Sequence, residues 1–382
     1  MTTFFATTAP GLEPITRAEL SRLGLIDPNA QARLEEGGVT FQGGTSELYK
    51  ANLHLRTASR VLVRLGDFYA AGFPELRKKA GRLPWDQYLS PGQPVALNVT
   101  CHKSRLYHSG AVAERVAAAI ADRLGKASQA IKAGGSIEEE TPAQLVIVRL
   151  LNDHVSISVD SSGALLHRRG YRLETAKAPL RETLAAAILL ASGWDFRSPL
   201  LDPFCGSGTI AIEAACMALN QPPGINRSFA FMDWPGYNRR LWDSLRAAGS
   251  TPPEDRFPII QASDRDAGAV QIAQANAERA GVAARIEFAR RAVSSIEPPA
   301  GPGWVVTNPP YGIRVSPTND LRNLYAQLGN VLRAKCPGWQ AAVLCSDIRL
   351  LGQTGLRLDT SLSMVNGGVP VRLGRGTVPR QE

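Results

Sequence analysis

Leu200-Leu201-Asp202-Pro203-Phe204-Cys205-Gly206-Ser207-Gly208-Thr209 is the stretch of this 382-residue chain whose reading decides the fold. A short apolar run breaks into a turn rich in proline and glycine, then continues into the helical pattern Thr209 to Leu219. That is a strand opening at its carboxyl end into a helix. The two glycines let backbone approach a ligand closely, and the helix amino terminus beyond them offers N–H groups. A phosphate loop of the Walker type needs Gly-Lys-Ser/Thr here, and there is no lysine; the G-x-G-x-x-G spacing of a hydride-transfer fold is absent too.

Working outward, the carboxyl-terminal side repeats the alternation. A strand at Ile259 to Ala262, a helix at Gly268 to Ala280 and a strand at Ile286 to Phe288 follow. A strand ending at Asn308, a helix at Leu321 to Lys335 and a strand at Ala341 to Cys345 complete the pattern of a parallel, doubly wound sheet. The end differs: Leu358 to Val365, the turn Asn366-Gly367-Gly368 and Val369 to Leu373 read as an antiparallel hairpin. On the amino-terminal side no glycine turn joins a strand to a helix. Short strands at Phe4 to Thr7, Gly38 to Phe41, Val61 to Leu65 and Val95 to Thr100 mix with helices at Leu12 to Leu23, Thr45 to Ala58 and Ser109 to Leu124. A hairpin of Leu145 to Leu150 and Val155 to Val159 turns at Asn152-Asp153, so this part is α+β. The expected division is a first domain over 1–165, a charged connector over 166–178 and a second domain over 179–382.

A hydrophobic content of 44% suits two globular cores, and no apolar run approaches the ~18 residues of a membrane span. The residues from Met1 to Pro10 lack the basic and apolar regions of a secretory signal. Five scattered cysteines without a C-x-x-C pair fit a cytoplasmic protein with reduced thiols and no structural metal. The net charge of +9 favours a polyanionic partner. It gathers at Arg77-Lys78-Lys79, at Lys103 with Arg105, at Arg168-Arg169 and at Arg239-Arg240, with Trp85, Tyr107, Tyr171 and Tyr237 close by. Each cluster alone reads as solvated surface before it reads as a contact; together they favour a nucleic-acid face.

Asn308-Pro309-Pro310-Tyr311, emerging from Trp304-Val305-Val306, suits chemistry on a flat exocyclic amine. The lone pair of such an amine is delocalised into its ring, so a catalyst must hold the nitrogen while it pyramidalises. The Asn308 side-chain oxygen and the Pro309 carbonyl can each accept one N–H, and the Tyr311 ring can stack on the base. A rigid turn with an aromatic plug is the competing reading. Asp264, at the end of the strand after the glycine turn, can accept both hydroxyls of a ribose or can serve as a helix cap. Cys205 has no base beside it and reads as packing.

D-P-F-C-G-S-G-T, S-D-R-D and N-P-P-Y in that order resemble the class I S-adenosylmethionine-dependent methyltransferases acting on base amines. The chain is more closely similar to the THUMP-domain RNA guanine-N2 methyltransferases, on F-F-A-T-T-A-P-G-L-E at 4–13, D-S-S-G-A-L-L-H-R-R-G-Y-R at 160–172, A-P-L-R-E-T-L-A-A-A at 178–187 and N-P-P-Y-G at 308–312. The order resembles the amino-terminal methyltransferase half of the bifunctional large-subunit ribosomal RNA enzymes and their free-standing bacterial relatives. The resemblance implies a Rossmann-like class I methyltransferase domain, with a mostly parallel seven-stranded sheet, preceded by an α+β ferredoxin-like and THUMP domain that binds RNA. It implies S-adenosyl-L-methionine as cofactor, with Asp202, Phe204, Gly206, Gly208, Thr209 and Pro179 around its methionine and ribose and Asp264 on the ribose hydroxyls. Asn308, Pro309 and Tyr311 would hold the target amine, and Arg77, Lys78, Lys79, Lys103 and Arg105 would contact RNA. The expected reaction is methyl transfer to guanosine N2 in 23S rRNA. A tRNA substrate, an adenine-N6 activity on DNA or RNA, and a non-catalytic assembly factor are the alternatives. One departure stands out: where the family places an Asp for the cofactor adenine, this chain reads Phe288-Ala289-Arg290-Arg291-Ala292-Val293.

Overall fold

The computed structural model describes residues 1–27, 34–127, 130–132, 143–172, 180–249, 257–311 and 318–380. The chain forms two compact units that do not meet at one point of the sequence. The first holds 1–8, 17–166 and 227–247; the second holds 9–16, 167–226 and 248–382. A single cut near residue 165 therefore misses two exchanges, because eight residues near the amino terminus pack with the second unit and 21 residues beyond the glycine turn pack with the first. The physical reason lies in the cores. Leu12 is fully buried among Leu184, Ile188 and Met364, whereas Phe231 and Trp242 pack on Tyr49, whose ring stacks on Phe231 at 4.4 Å.

The first unit is built on an eight-stranded sheet. Its strands are β1 (Thr2–Thr8), β2 (Leu34–Glu35), β3 (Gly38–Gly43), β4 (Ala58–Tyr69), β5 (Val95–His102), β6 (Ala130–Lys132), β7 (Gln144–Leu151) and β8 (His154–Asp160). Their order is β2-β3-β1-β4-β8-β7-β5-β6. The centre is β4, 12 residues long where the sequence pattern marks only Val61 to Leu65. Ala58 to Arg64 pair with β1 and Leu62 to Tyr69 with β8, with a shift between Arg64 and Gly66, so one strand joins both halves of the sheet. The turn between β7 and β8 consists of Asn152 and Asp153 with φ of +52° and +64°, the left-handed values of a tight hairpin turn. Beyond β8, Asp160 receives N–H groups of Ser162 and Gly163 and pairs with buried Arg60, while Asn52 bonds the hydroxyls of Ser161 and Ser162. Asp160-Ser161-Ser162-Gly163 is thus a polar knot that ties this unit together.

The second unit carries β9 (Leu200–Asp202), β10 (Ile260–Asp264), β11 (Glu287–Arg290), β12 (Trp304–Thr307), β13 (Gln340–Cys345), β14 (Asp359–Asn366) and β15 (Val369–Thr377). They are ordered β11-β10-β9-β12-β13-β15-β14. β9 to β13 are parallel, and the terminal hairpin inserts β15 antiparallel beside β13. Both faces are covered, and period-two alternation divides the side chains between them. Leu200, Val306, Ala342 and Leu344 join the core with helices Glu182–Ala191, Thr209–Ala218 and Ala267–Arg279. Leu201, Val305, Ala341 and Val343 join the core with helices Thr318–Lys335 and Ile348–Gln353. This is the class I methyltransferase sheet that the alternation of motifs implies, and it fixes where the site must lie. β9 connects onward to its neighbour β10 on one side, and β12 lies on the other. The carboxyl ends of β9 and β12 therefore flank the point where strand order reverses, where open α/β sheets bind ligands.

Candidate active site

Two of the sequence motifs meet at that switch point through a hydrogen bond. The Thr307 hydroxyl, at the end of β12, donates to Asp202 Oδ1 at 2.6 Å, and the Phe204 amide donates to the same oxygen at 3.2 Å. Asp202 is 1% exposed, and its Oδ2 is buried without a hydrogen-bond partner. Burial drives its pKa up to about 7, Asp264 adds to the rise, and the Thr307 and Phe204 bonds oppose it. Asp264 ends β10, half-buried, and accepts Gly206 N–H at 3.1 Å and Asp266 N–H at 3.0 Å. The helix cap at this corner is Asp266, whose side chain accepts Gly268 N–H, so Asp264 is not the cap.

The glycines of the turn differ in what they do. Gly206 has φ of +50°, and a Cβ there would meet nothing within 4 Å, so only its backbone conformation asks for glycine and the space beside it is open. Gly208, with φ of +82°, begins helix Thr209–Ala218, and a Cβ there would lie 2.9 Å from that of Ala273. Its small size serves helix packing as well as the turn. Thr209 is buried, and its hydroxyl accepts from Arg172 at 3.0 Å. Arg172 in turn lies 3.3 Å from Glu182, whose pKa burial raises to about 7, while neighbouring Tyr171 donates to Glu213 at 3.1 Å. This buried ionic network behind the glycine turn has no local signature. Arg172, Glu182 and Glu213 are spread over 42 positions, and only the fold brings them together. Pro179 lies outside the described residues.

At Asn308 the side-chain oxygen is buried without a hydrogen-bond partner. A buried amide oxygen left in that state is rare and costs about 1–3 kcal/mol, so this acceptor is available to a ligand. Pro309 is buried behind it, and half-buried Tyr311 packs against both cores. The Tyr311 hydroxyl accepts from the Asn366 amide at 3.0 Å, so the terminal hairpin fixes the ring's position. Arg291, in the segment that departs from the family pattern, pairs with Glu297 at 2.7 Å beside a cleft also lined by Ser263, Phe288, Ala289 and Ile296. Cys205 is buried and its thiol is pushed well above the ordinary range by burial, with Asp202 and Asp264 adding to the rise, as suits packing rather than nucleophilic chemistry. Among the described residues no group of acidic, histidine and cysteine side chains could hold a metal ion, and no helix is long and apolar enough to cross a membrane.

The five basic residues named from the sequence all lie on the first unit, and they are not equivalent. Arg77, on helix Phe73–Ala80, makes two bonds to Asp122 at 2.7 and 2.8 Å; Lys79 reaches Glu75 and the Tyr69 carbonyl, both at 2.8 Å. Arg105 is 73% exposed with Asp153 3.7 Å away. Lys78 and Lys103 are exposed and take no part in an ion pair among the described residues. The cations are plain in the sequence, but their partners sit up to 48 positions away and are brought to them only by the fold.

Comparison with known proteins agrees with this architecture. Residues 169–370 match the RMKL-like methyltransferase domain, 3–62 the RlmL ferredoxin-like domain and 70–160 the THUMP domain. The junction of the last two falls inside β4. The chain is 36% identical to slr0064 of Synechocystis sp., a provisionally named RNA methyltransferase, over 97% of this chain and 95% of that one. It is also 36% identical to the ribosomal RNA large subunit methyltransferase K/L of Syntrophotalea carbinolica over 97% of this chain, but it spans only 53% of that longer enzyme. The crystal structure of SMU.472, a methyltransferase by assignment, complexed with SAH, superposes with a TM-score of 0.87 at 29% identity, covering 100% of this chain and 98% of that one. With the sheet order, the motif positions and the domain matches in agreement, the chain belongs to the RMKL-like methyltransferase family, with a ferredoxin-like and a THUMP domain ahead of the methyltransferase domain.

Proposed function

We propose that this chain is an S-adenosylmethionine-dependent RNA methyltransferase that methylates the exocyclic N2 amine of a guanosine in large-subunit ribosomal RNA. The observation that carries the reading is the orphaned Asn308 Oδ1 at the switch point, one residue beyond the bond that joins β12 to the glycine turn. The cofactor supplies a methyl group on a sulfonium centre. Its fit is supported by the half-buried Asp264 carboxylate, held in place by the amides of Gly206 and Asp266, and by the open space at Gly206. The SAH bound by the similar structure SMU.472 is what remains of that cofactor after transfer.

In this mechanism Asn308 Oδ1 and the Pro309 carbonyl accept the two amine N–H groups, which turns the nitrogen lone pair out of conjugation with the ring. Tyr311, anchored by Asn366, supports the base. The new N–C bond forms as the S–C bond breaks, and the methylated nitrogen then sheds one proton to water, so no strong general base is required. The name of the K/L relative favours ribosomal RNA. An adenine-N6 activity would use the same Asn-Pro-Pro-Tyr turn. Mass spectrometry of ribosomal RNA nucleosides from a deletion strain, with and without the restored gene, tests the reading. Loss of an N2-methylguanosine mark that returns with the gene is the expected outcome. Loss of N6-methyladenosine, or no lost mark in any RNA, would refute it.

A further inference from the structure

Four strands of the first unit end level with one another. Tyr69 on β4 faces His154 on β8, His154 faces Leu151 on β7, and Leu151 faces His102 on β5. Partners in register stand on the same face of a sheet, so these four form one row across it. All four are exposed, Tyr69 by 43% and Leu151 by 53%, and the Tyr69 and His154 rings meet edge-on with centroids 5.9 Å apart. Leaving His102, the chain continues through Lys103, whose φ is +46°, to buried Leu106 and then Tyr107, which is 82% exposed. This loop is fastened rather than loose. Asn152 N–H donates to the His102 carbonyl at 3.2 Å, Asp153 N–H to the Ser104 hydroxyl at 3.0 Å, and Arg105 N–H to the Asp153 carboxylate at 2.6 Å.

Among the described residues of the first unit, the exposed large hydrophobics are Met1, Tyr69, Tyr107 and Leu151, and three of these gather at this one end. Such clustering marks an interaction surface. The next row along the same strands is Asp67, Ser156, Arg149 and Thr100, which brings exposed Arg149 beside the first. At this end the exposed cations Lys103, Arg105 and Arg149 outnumber the carboxylates Asp67 and Asp153, so the occupant should be anionic. Of the two carboxylates at the patch, Asp153 already accepts from Arg105 N–H and the Tyr69 hydroxyl, and Asp67 stands at the far end of the second row.

We propose that the row Tyr69–His154–Leu151–His102, with Tyr107 beside it, is a platform on which unpaired bases of single-stranded RNA stack, with Lys103, Arg105 and Arg149 taking the phosphates. The inference rests on the RNA reading above and names the surface that would hold the RNA. Duplex RNA hides its base faces and presents phosphate and ribose, so exposed aromatic rings select the unpaired strand.

The test uses the full chain, a fluorescein-labelled 12-nucleotide oligouridine and a labelled RNA hairpin, read by anisotropy. Tyr107→Ala and Tyr69→Ala should each weaken oligouridine binding by roughly 5- to 100-fold, the range for losing one stacked base, with a much smaller effect on the hairpin. Tyr107→Phe keeps the ring and should bind as the unaltered protein does. Thermal stabilisation by S-adenosylmethionine, unchanged in all three variants, shows that they are folded. If the unaltered protein binds oligouridine and the alanine variants bind it equally well, the platform is refuted while the RNA reading stands. Equal weakening by Tyr107→Phe and Tyr107→Ala, or lost binding to a ribosomal protein with RNA affinity intact, would also refute it. Failure of the unaltered protein to bind either RNA would overturn both.

Discussion

Replacing Asp202 with asparagine separates the charge of this carboxyl from its hydrogen-bonding geometry. The folded group titrates near 7, chiefly because it is buried, whereas an unfolded aspartate titrates near 3.9. Between those values the folded chain holds a proton that the unfolded chain has released. The stability this group contributes is therefore fully present below about pH 4 and is lost as pH rises through 7. A difference of about three pH units corresponds to roughly 4 kcal/mol. Asp202→Asn is neutral throughout, and its amide oxygen can still accept from Thr307. Without cofactor, urea unfolding between pH 5 and 8 should show the unaltered protein declining relative to the variant by roughly 3 kcal/mol, the part of that difference that falls between pH 5 and 7. Parallel pH profiles for the two proteins would refute the reasoning. The same pair tests the cofactor assignment. If the unpartnered Oδ2 faces the methionine end of S-adenosylmethionine, the ligand should raise the midpoint of the unaltered protein more than that of Asp202→Asn, and equal gains would confine Asp202 to a structural role.

Asn308→Ala should keep the fold and the cofactor affinity yet lose at least ~100-fold in single-turnover rate, the usual scale for an aimed catalytic partner; near-normal turnover would remove Asn308 from its role. Asp264→Ala should weaken S-adenosylmethionine by ~1–3 kcal/mol in calorimetric titration, and unchanged affinity would leave it only its bonds to Gly206 and Asp266. Neutralising Lys78 and Lys103, two exposed cations with no ion pair among the described residues, should flatten the salt dependence of RNA binding by about 0.7–0.9 units of slope per contact. Neutralising Arg77, already bound to Asp122, should change it less; the reverse order would show that the ion pair opens on binding.

The site was legible in the sequence wherever chemistry and local pattern coincide. Leu200-Leu201-Asp202 alternates between two cores and ends in a glycine turn, so both the strand and the helix after it follow from a dozen residues. The hairpin at Gly367-Gly368 was equally plain, because two successive positive φ angles need such residues. What stayed hidden depends on partners distant in sequence. The fastening of Tyr311 to Asn366 spans 55 positions, and the row from Tyr69 to His102 exists only through strand register. Helix Arg239–Ala248 lies within the methyltransferase stretch of sequence, yet most of it belongs to the first unit, and nothing local in Arg239-Arg240-Leu241-Trp242 announces that.

The two exchanged segments bear on the order in which the protein takes shape during synthesis. Tyr49 is made early, but Phe231 and Trp242, which enclose it, leave the ribosome only after the glycine turn of the second unit has already been translated. The amino-terminal unit cannot finish folding as a nascent fragment of about 170 residues. It must wait with an aromatic surface uncovered until more than sixty further residues have emerged. A premature stop anywhere between residues 166 and 227 would release a chain with that surface permanently open.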